Sequence, residues 1–178
     1  MIEGTIVNLR AREMDDLERN YRWVNDREVT RFIAMRYQMS LLAEEDWMRE
    51  RTKRPLSFEL AAFAIETKDG RHIGNCVLRG ASPEDRSADL GIVIGEKDCW
   101  GKGYGADAVR TLVRFGFDEM NLERVELHVY DFNARAIASY RKCGFIEEGR
   151  LRQHEYAEGA YHDSVVMAVL RDEWEAMR

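Results

Sequence analysis

Seven residues, Trp100-Gly-Lys-Gly-Tyr-Gly-Ala106, constrain this chain more than any other stretch. They follow a run with strand character, Asp89-Leu-Gly-Ile-Val-Ile94. They open a long stripe at helical spacing, formed by Ala106, Val109, Val113, Phe117 and Met120. Alternate glycines let the backbone turn and approach a ligand with no Cβ in the way. The first amides of a helix lack intrahelical acceptors, and the helix dipole adds partial positive charge there. Strand, glycine turn and helix N-terminus together suit a phosphate, so a phosphate-bearing cofactor is expected.

Around this unit the patterning is that of hairpins. Thr5 to Arg10 reads as a strand, and a helix runs from Asp15 or Asp16 to about Asn25. Glu28 to Tyr37 reads as a short helix or loop, and Ser40 suits the N-cap of a second helix stopped before Pro55. Phe58 to Glu66 and His72 to Arg79 form two arms around the turn Lys68-Asp-Gly-Arg71. After the central helix comes a strand over Arg124 to Tyr130 and a short helix over Ala134 to Cys143, stopped at Gly144. Phe145 to Arg150 and Tyr161 to Leu170 read as an antiparallel pair, followed by a last helical turn over Arg171 to Met177. One strand–helix–strand crossover among hairpins predicts an α+β domain over residues 1–178, with a mixed, mostly antiparallel sheet of about seven strands.

Gly101-Lys-Gly-Tyr-Gly-Ala106 also fits the dinucleotide pattern Gly-x-Gly-x-x-Gly/Ala. That fold needs repeated strand–helix units and a strand feeding almost directly into the first glycine. Here Gly95 to Cys99 intervene and there is a single crossover, so a nicotinamide cofactor is a poor match.

A second motif follows: Asn133-x-x-Ala136-x-x-x-Tyr140-x-x-x-Gly144-Phe145, whose spacing places its members on one helix face. Together the two motifs resemble the GNAT superfamily of acetyl-CoA-dependent N-acetyltransferases. There Gln/Arg-x-x-Gly-x-Gly/Ala grips the CoA pyrophosphate and an Asn…Tyr helix follows; Trp100 stands where Gln or Arg is usual. Leu9-Arg10, Arg22-Trp-Val-Asn-Asp26, Gly149-Arg-Leu151 and Gly159-x-Tyr161-x-Asp163 are similar to the ribosomal-protein N-terminal (Rim-type) and spermidine acetyltransferase branch.

The resemblance implies acetyl-CoA as cosubstrate and direct transfer to a primary amine on a protein N-terminus, a polyamine or a small molecule. It implies that Tyr140 acts as the general acid at the CoA sulfur and that Asn133 contacts the pantetheine or assists the chemistry. It implies backbone pairing of the pantetheine arm with Ile92, Val93 and Ile94, and a cradle of Trp100, Gly101, Lys102, Gly103, Tyr104, Gly105 and Ala106. Ala136 and Lys142 complete the expected cofactor contacts. For the base, Asp89 on the strand before the loop and His128 on the next strand are candidates, with Glu126 on the face of His128. Trp23, Phe32, Tyr37 and Trp47 are expected to wall the acceptor pocket. A CoA-binding regulator or partner-binding protein that kept the fold without turnover is the alternative.

Composition excludes other classes. A net charge of −6 argues against a general nucleic-acid binder, and local basic groups must then serve the anionic cofactor. Cys76, Cys99 and Cys143 form no Cys-x-x-Cys pair, and the four histidines show no metal-ligand spacing, so no metal is expected. No apolar run approaches the roughly 20 residues of a membrane helix. The opening Met-Ile-Glu-Gly-Thr does not read as a signal peptide, so a cytoplasmic protein is expected. The N-terminal aromatic residues and the final strands offer surface for a homodimer.

Overall fold

In the computed structural model, residues 1–33, 35–53 and 57–178 are described. In chain order the elements are β1 (Ile2–Glu3), β2 (Val7–Arg10), α1 (Leu17–Val24), α2 (Arg27–Thr30), α3 (Leu41–Lys53), β3 (Leu60–Thr67), β4 (His72–Arg79) and β5 (Ser87–Ile94). The second half adds α4 (Tyr104–Asp118), β6 (Arg124–Tyr130), α5 (Ala134–Lys142), β7 (Ile146–Ala157), β8 (Ala160–Leu170) and α6 (Arg171–Ala176). The eight strands form one sheet in the order β1-β2-β3-β4-β5-β6-β8-β7. Every neighbouring pair is antiparallel except β5 and β6.

The extra strand beyond the expected seven is β1, which pairs Ile2 with Leu9 and Glu3 with Asn8. The first predicted strand begins at Val7 rather than Thr5 because the chain turns at Gly4, whose amide donates to the Val7 carbonyl at 2.8 Å. That turn lies against α4, where Asp107 accepts from the amides of Ile6 at 2.8 Å and Val7 at 3.0 Å. Ser40 caps α3 through a bond from the Ala43 amide to its hydroxyl at 3.2 Å. The expected stop at Pro55 lies outside the described residues. The third strand runs from Leu60 to Thr67, displaced from Phe58–Glu66, and β7 continues to Ala157 rather than ending at Arg150. Its register shifts between Glu147 and Gly149 and between Leu151 and Glu155, irregularities that hide the alternation from pattern reading.

The apolar face of α4 explains the core. Ala108, Val109, Leu112, Val113 and Phe117 are buried with Leu78, Leu90, Val125 and Leu127 of the sheet in one cluster. Gly116 permits the approach, since a Cβ there would stand 3.0 Å from Leu78 Cδ1.

A polar network ties the N-terminal segment to β4. Asp16, fully buried, accepts two bonds of 2.8 Å from the Arg10 guanidinium and lies 3.0 Å from His72 Nδ1. Burial alone would push the Asp16 carboxyl up; hydrogen bonds from Arg10, His72 and the Glu13 amide outweigh it and hold the group well below the usual carboxylate range. Such a group stabilises the fold fully above its unfolded pKa of about 4, and the contribution is lost as pH falls through the lower folded value. Asp16→Asn should cost about 1–3 kcal/mol in urea denaturation at neutral pH, with the gap to the wild type narrowing below about pH 4. A constant gap across that range would rule out ionised Asp16 as its source.

Candidate active site

The site is made where the sheet opens. β5 and β6 pair only at Ser87–Arg124, Ala88–Val125 and Asp89–Glu126, although β5 continues to Ile94 and β6 to Tyr130. Beyond Asp89 the two strands have separated. The Gly95 amide donates to the Ile73 carbonyl at 2.9 Å, and β5 is antiparallel to β4 with Ile94 opposite Gly74. By the alternation of an antiparallel ladder, residues 91, 93 and 95 turn their backbone groups to β4, and Ile92 and Ile94 turn theirs to the gap. Of the three strand residues expected to offer backbone to a ligand, Ile92 and Ile94 face the gap and Val93 faces β4.

The glycine run sits at the mouth of this gap. Gly101 and Gly103 have φ of +74° and +88°, and Gly103 caps α4 in the left-handed region. A Cβ at Gly101 would meet nothing within 4 Å, so the space over the loop is open. The Trp100 amide donates to the Lys97 carbonyl at 3.1 Å, and the next amide with a backbone carbonyl partner is that of Asp107, which donates to Gly103 at 3.0 Å. Among the described residues, the amides from Gly101 to Ala106 have no acceptor. Lys102 is exposed beside them. An anionic pyrophosphate fits this cradle of free donors at a helix N-terminus.

The five residues before the run are anchored elsewhere. Glu96 accepts from Trp23 Nε1 at 3.0 Å and from the Arg22 and Arg71 guanidiniums. Lys97 pairs with Asp26 at 2.9 Å and Glu28 at 2.8 Å. Trp23 is therefore a buried anchor against Gly95 and His72, and the expectation that it walls an acceptor pocket is wrong. Tyr37 is 86% exposed, and Trp47 lies under the Arg51 guanidinium, 4.4 Å from its ring centre. Only Phe32 of that set reaches the site, with its ring 6.0 Å from Phe132 on the β6–α5 loop.

On α5, Asn133 is the N-cap, accepting from the Ala136 amide at 3.2 Å and leaving its NH2 without a partner among the described residues. Tyr140 packs on the core beside Phe145, and its hydroxyl has no hydrogen-bond partner among the described residues. Burial, with the Asp89 carboxylate adding to it, pushes the Tyr140 phenol up to about 12. It stays protonated throughout the neutral range. Cys143 donates to the Ala106 carbonyl at 3.5 Å, fixing the end of α5 to the first turn of α4. Burial raises this thiol, which makes it a packing residue rather than a nucleophile. Arg141 is taken by Glu147 at 3.0 Å, whereas Lys142 is exposed and makes no ion pair among the described residues.

Ala88, Leu90, Val125 and Leu127 are buried on the α4 face of the sheet, so Asp89, Glu126 and His128 point to the opposite face. Asp89 is held by Arg79 at 2.6 Å, and Arg124 bridges Glu126 at 2.9 Å and Glu148 at 2.5 Å. Three carboxylates against two guanidiniums leave an acidic excess on this face, from the last paired residues of β5 and β6 across to β7. His128 is exposed, with Nδ1 3.4 Å from Ser164 Oγ and Nε2 without a partner among the described residues. Sequence reading misses Phe132 and Glu148, which only their proximity in the fold marks, and takes Arg135 as a cation for cofactor phosphate, whereas its guanidinium lies over the rings of Trp100 and Phe32.

Comparison with known proteins agrees with this geometry. Residues 7–146 match the family described as acetyltransferase (GNAT) domain. The chain is 28% identical over 169 residues to the uncharacterized N-acetyltransferase p20 of Bacillus licheniformis, covering 94% of each. It is 35% identical over 107 residues to YdaF of Bacillus subtilis, provisionally named a ribosomal N-acetyltransferase, covering 60% of this chain and 58% of that one. Among solved structures, the spermidine N-acetyltransferase of Vibrio cholerae in complex with CoA and spermine superimposes with a TM-score of 0.86 at 26% identity, covering 95% of this chain and 98% of that one.

Proposed function

The chain belongs to the GNAT acetyltransferase family and uses acetyl-CoA to acetylate amines; from that premise we propose that its acceptor is a small polycationic amine of the polyamine class. The observation that carries the acceptor assignment is the acidic excess of Asp89, Glu126 and Glu148 on the sheet face opposite α4, beginning at the last paired residues of β5 and β6. A cationic substrate is drawn to such a face, and the likeness to a spermidine acetyltransferase supports it. A protein N-terminus is the second reading, favoured by the similarity to YdaF. The non-catalytic alternative finds no support in these relatives.

Acetyl-CoA supplies an acetyl thioester. The amide C–N bond forms and the thioester C–S bond breaks; the ammonium nitrogen loses two protons, one to a base before attack and one that balances the proton taken by sulfur. In this reading Tyr140 donates the proton toward sulfur, being neutral and free of protein partners. His128 Nε2, exposed on the acceptor face, accepts the proton of the ammonium through water. Asp89, engaged with Arg79, serves to attract the amine rather than to deprotonate it. Free amides of the glycine run hold the pyrophosphate, Ile92 and the NH2 of Asn133 face the pantetheine, and Lys102 and Lys142, which make no ion pair among the described residues, serve the remaining phosphate charge.

Incubation with acetyl-CoA and an equimolar mixture of spermidine, a monoamine and a short peptide with a free N-terminus tests the acceptor. Mass spectrometry should find acetylated spermidine in excess; acetylated peptide in excess would select the second reading. Glu126→Gln should raise KM for spermidine about two- to tenfold at low salt, with kcat little changed. An unchanged KM would remove the acidic face from acceptor recognition.

Residues 1–178 are taken as one acetyltransferase domain, in keeping with the continuous sheet. The three cysteines are free and buried, which supports a cytoplasmic setting, and no helix among the described residues is long and apolar enough to cross a membrane. The outer edge of β7, with Leu151, Tyr156 and Tyr161 exposed nearby, is the surface proposed for a homodimer.

A further inference from the structure

The Ile94 carbonyl faces the gap between β5 and β6, yet it is not free. The indole N–H of Trp100 donates to it at 2.7 Å. The Arg135 guanidinium, at the start of α5, lies 4.7 Å from the centre of the Trp100 ring and 6.0 Å from that of Phe32. One side chain thus spans from the end of β5 to the far side of the mouth, held by a hydrogen bond at one end and stacked under a cation at the other.

We propose that Trp100 is a positioning residue that ends the backbone ledge offered to the pantetheine arm, leaving the Ile92 amide and carbonyl and the Ile94 amide as its free groups. The inference rests on the assignment of acetyl-CoA as cosubstrate. The arm carries amides able to pair with strand backbone, and a free Ile94 carbonyl would add an acceptor and a second register for it. A slipped arm keeps its hydrogen bonds but misplaces the thioester relative to Tyr140. Misplacement by about 1 Å can cost on the order of 100-fold in rate with little loss of binding. Trp100 therefore acts on kcat through alignment, and Arg135 acts through Trp100.

The indole N–H resonance of Trp100, assigned by its loss in Trp100→Phe, reads the bond directly. It should exchange slowly with solvent in the free protein and remain so when CoA is added. Trp100→Phe keeps a ring for Arg135 and removes the donor. It should hold the CoA dissociation constant within about threefold while kcat falls at least about tenfold. Arg135→Ala, with the donor intact and the stack removed, should lower kcat in the same direction by less. Fast exchange of the indole proton on CoA binding would overturn the inference, since Trp100 would then be a gate that opens. So would parallel losses of affinity and kcat in Trp100→Phe, or an unchanged kcat. Absence of CoA binding by the wild type would instead overturn the cosubstrate assignment, and the inference with it.

Discussion

Replacing Tyr140 with Phe should lower kcat for acetyl transfer by about 100- to 10,000-fold, the range for loss of a positioned proton donor. CoA affinity should change little, because the phenol makes no protein hydrogen bond that the substitution would break among the described residues. The ring stays packed on the core beside Phe145, so the melting temperature should hold. Its elevated pKa, about 12, gives a second signature. The donor remains protonated through the neutral and mildly alkaline range, so no alkaline loss of wild-type kcat below about pH 11 should trace to this group. Steady-state kinetics on the two proteins, with CoA titrated calorimetrically, checks both parts. Wild-type turnover in Tyr140→Phe would leave the proton to water.

Gly103→Val should weaken CoA binding by about 100-fold or more. Gly103 has φ +88° and caps α4, a conformation that costs a β-branched residue on the order of 1–3 kcal/mol. The loop would relax by turning its amides, and the free donors from Gly101 to Ala106 would lose their common direction. Two charge-assisted hydrogen bonds at about 1.5–3 kcal/mol each correspond to roughly 100- to 10,000-fold in affinity. The affected amides bond nothing in the protein, so the fold should lose far less than the ligand does. The rise in melting temperature on adding CoA should vanish while the unliganded value falls only modestly. A retained rise would place the pyrophosphate elsewhere.

What could be read from residues alone follows from which signals are local. The glycine run at the start of α4, the stripe along α4 and the Asn133–Tyr140 helix are each carried by a short contiguous stretch, and the structure places those elements where the pattern predicts them. The hairpin of β3 and β4 was legible from its turn, although β3 begins two residues later than expected, after the Ser57–Leu60 bridge. The gap between β5 and β6 was not legible. It depends on three paired positions followed by separation, and no local pattern at Ile92 or Ile94 encodes it. Trp23 misled because aromatic content suggests a pocket wall, whereas a fully turned-in indole bonding Glu96 is decided by the partner 73 residues away. In the sequence Trp100 is a departure from the Gln or Arg usual in the family. Its hydrogen bond to Ile94 becomes visible only when the loop is folded back on the strand.

Release of CoA thiol from acetyl-CoA, followed with and without spermidine, is the most direct test of the central claim. An acceptor-dependent rate in the wild type, reduced at least about 100-fold in Tyr140→Phe, is the expected result. Release no faster with spermidine, peptides or other primary amines than without them, in a protein that CoA nonetheless stabilises against heat, would contradict it.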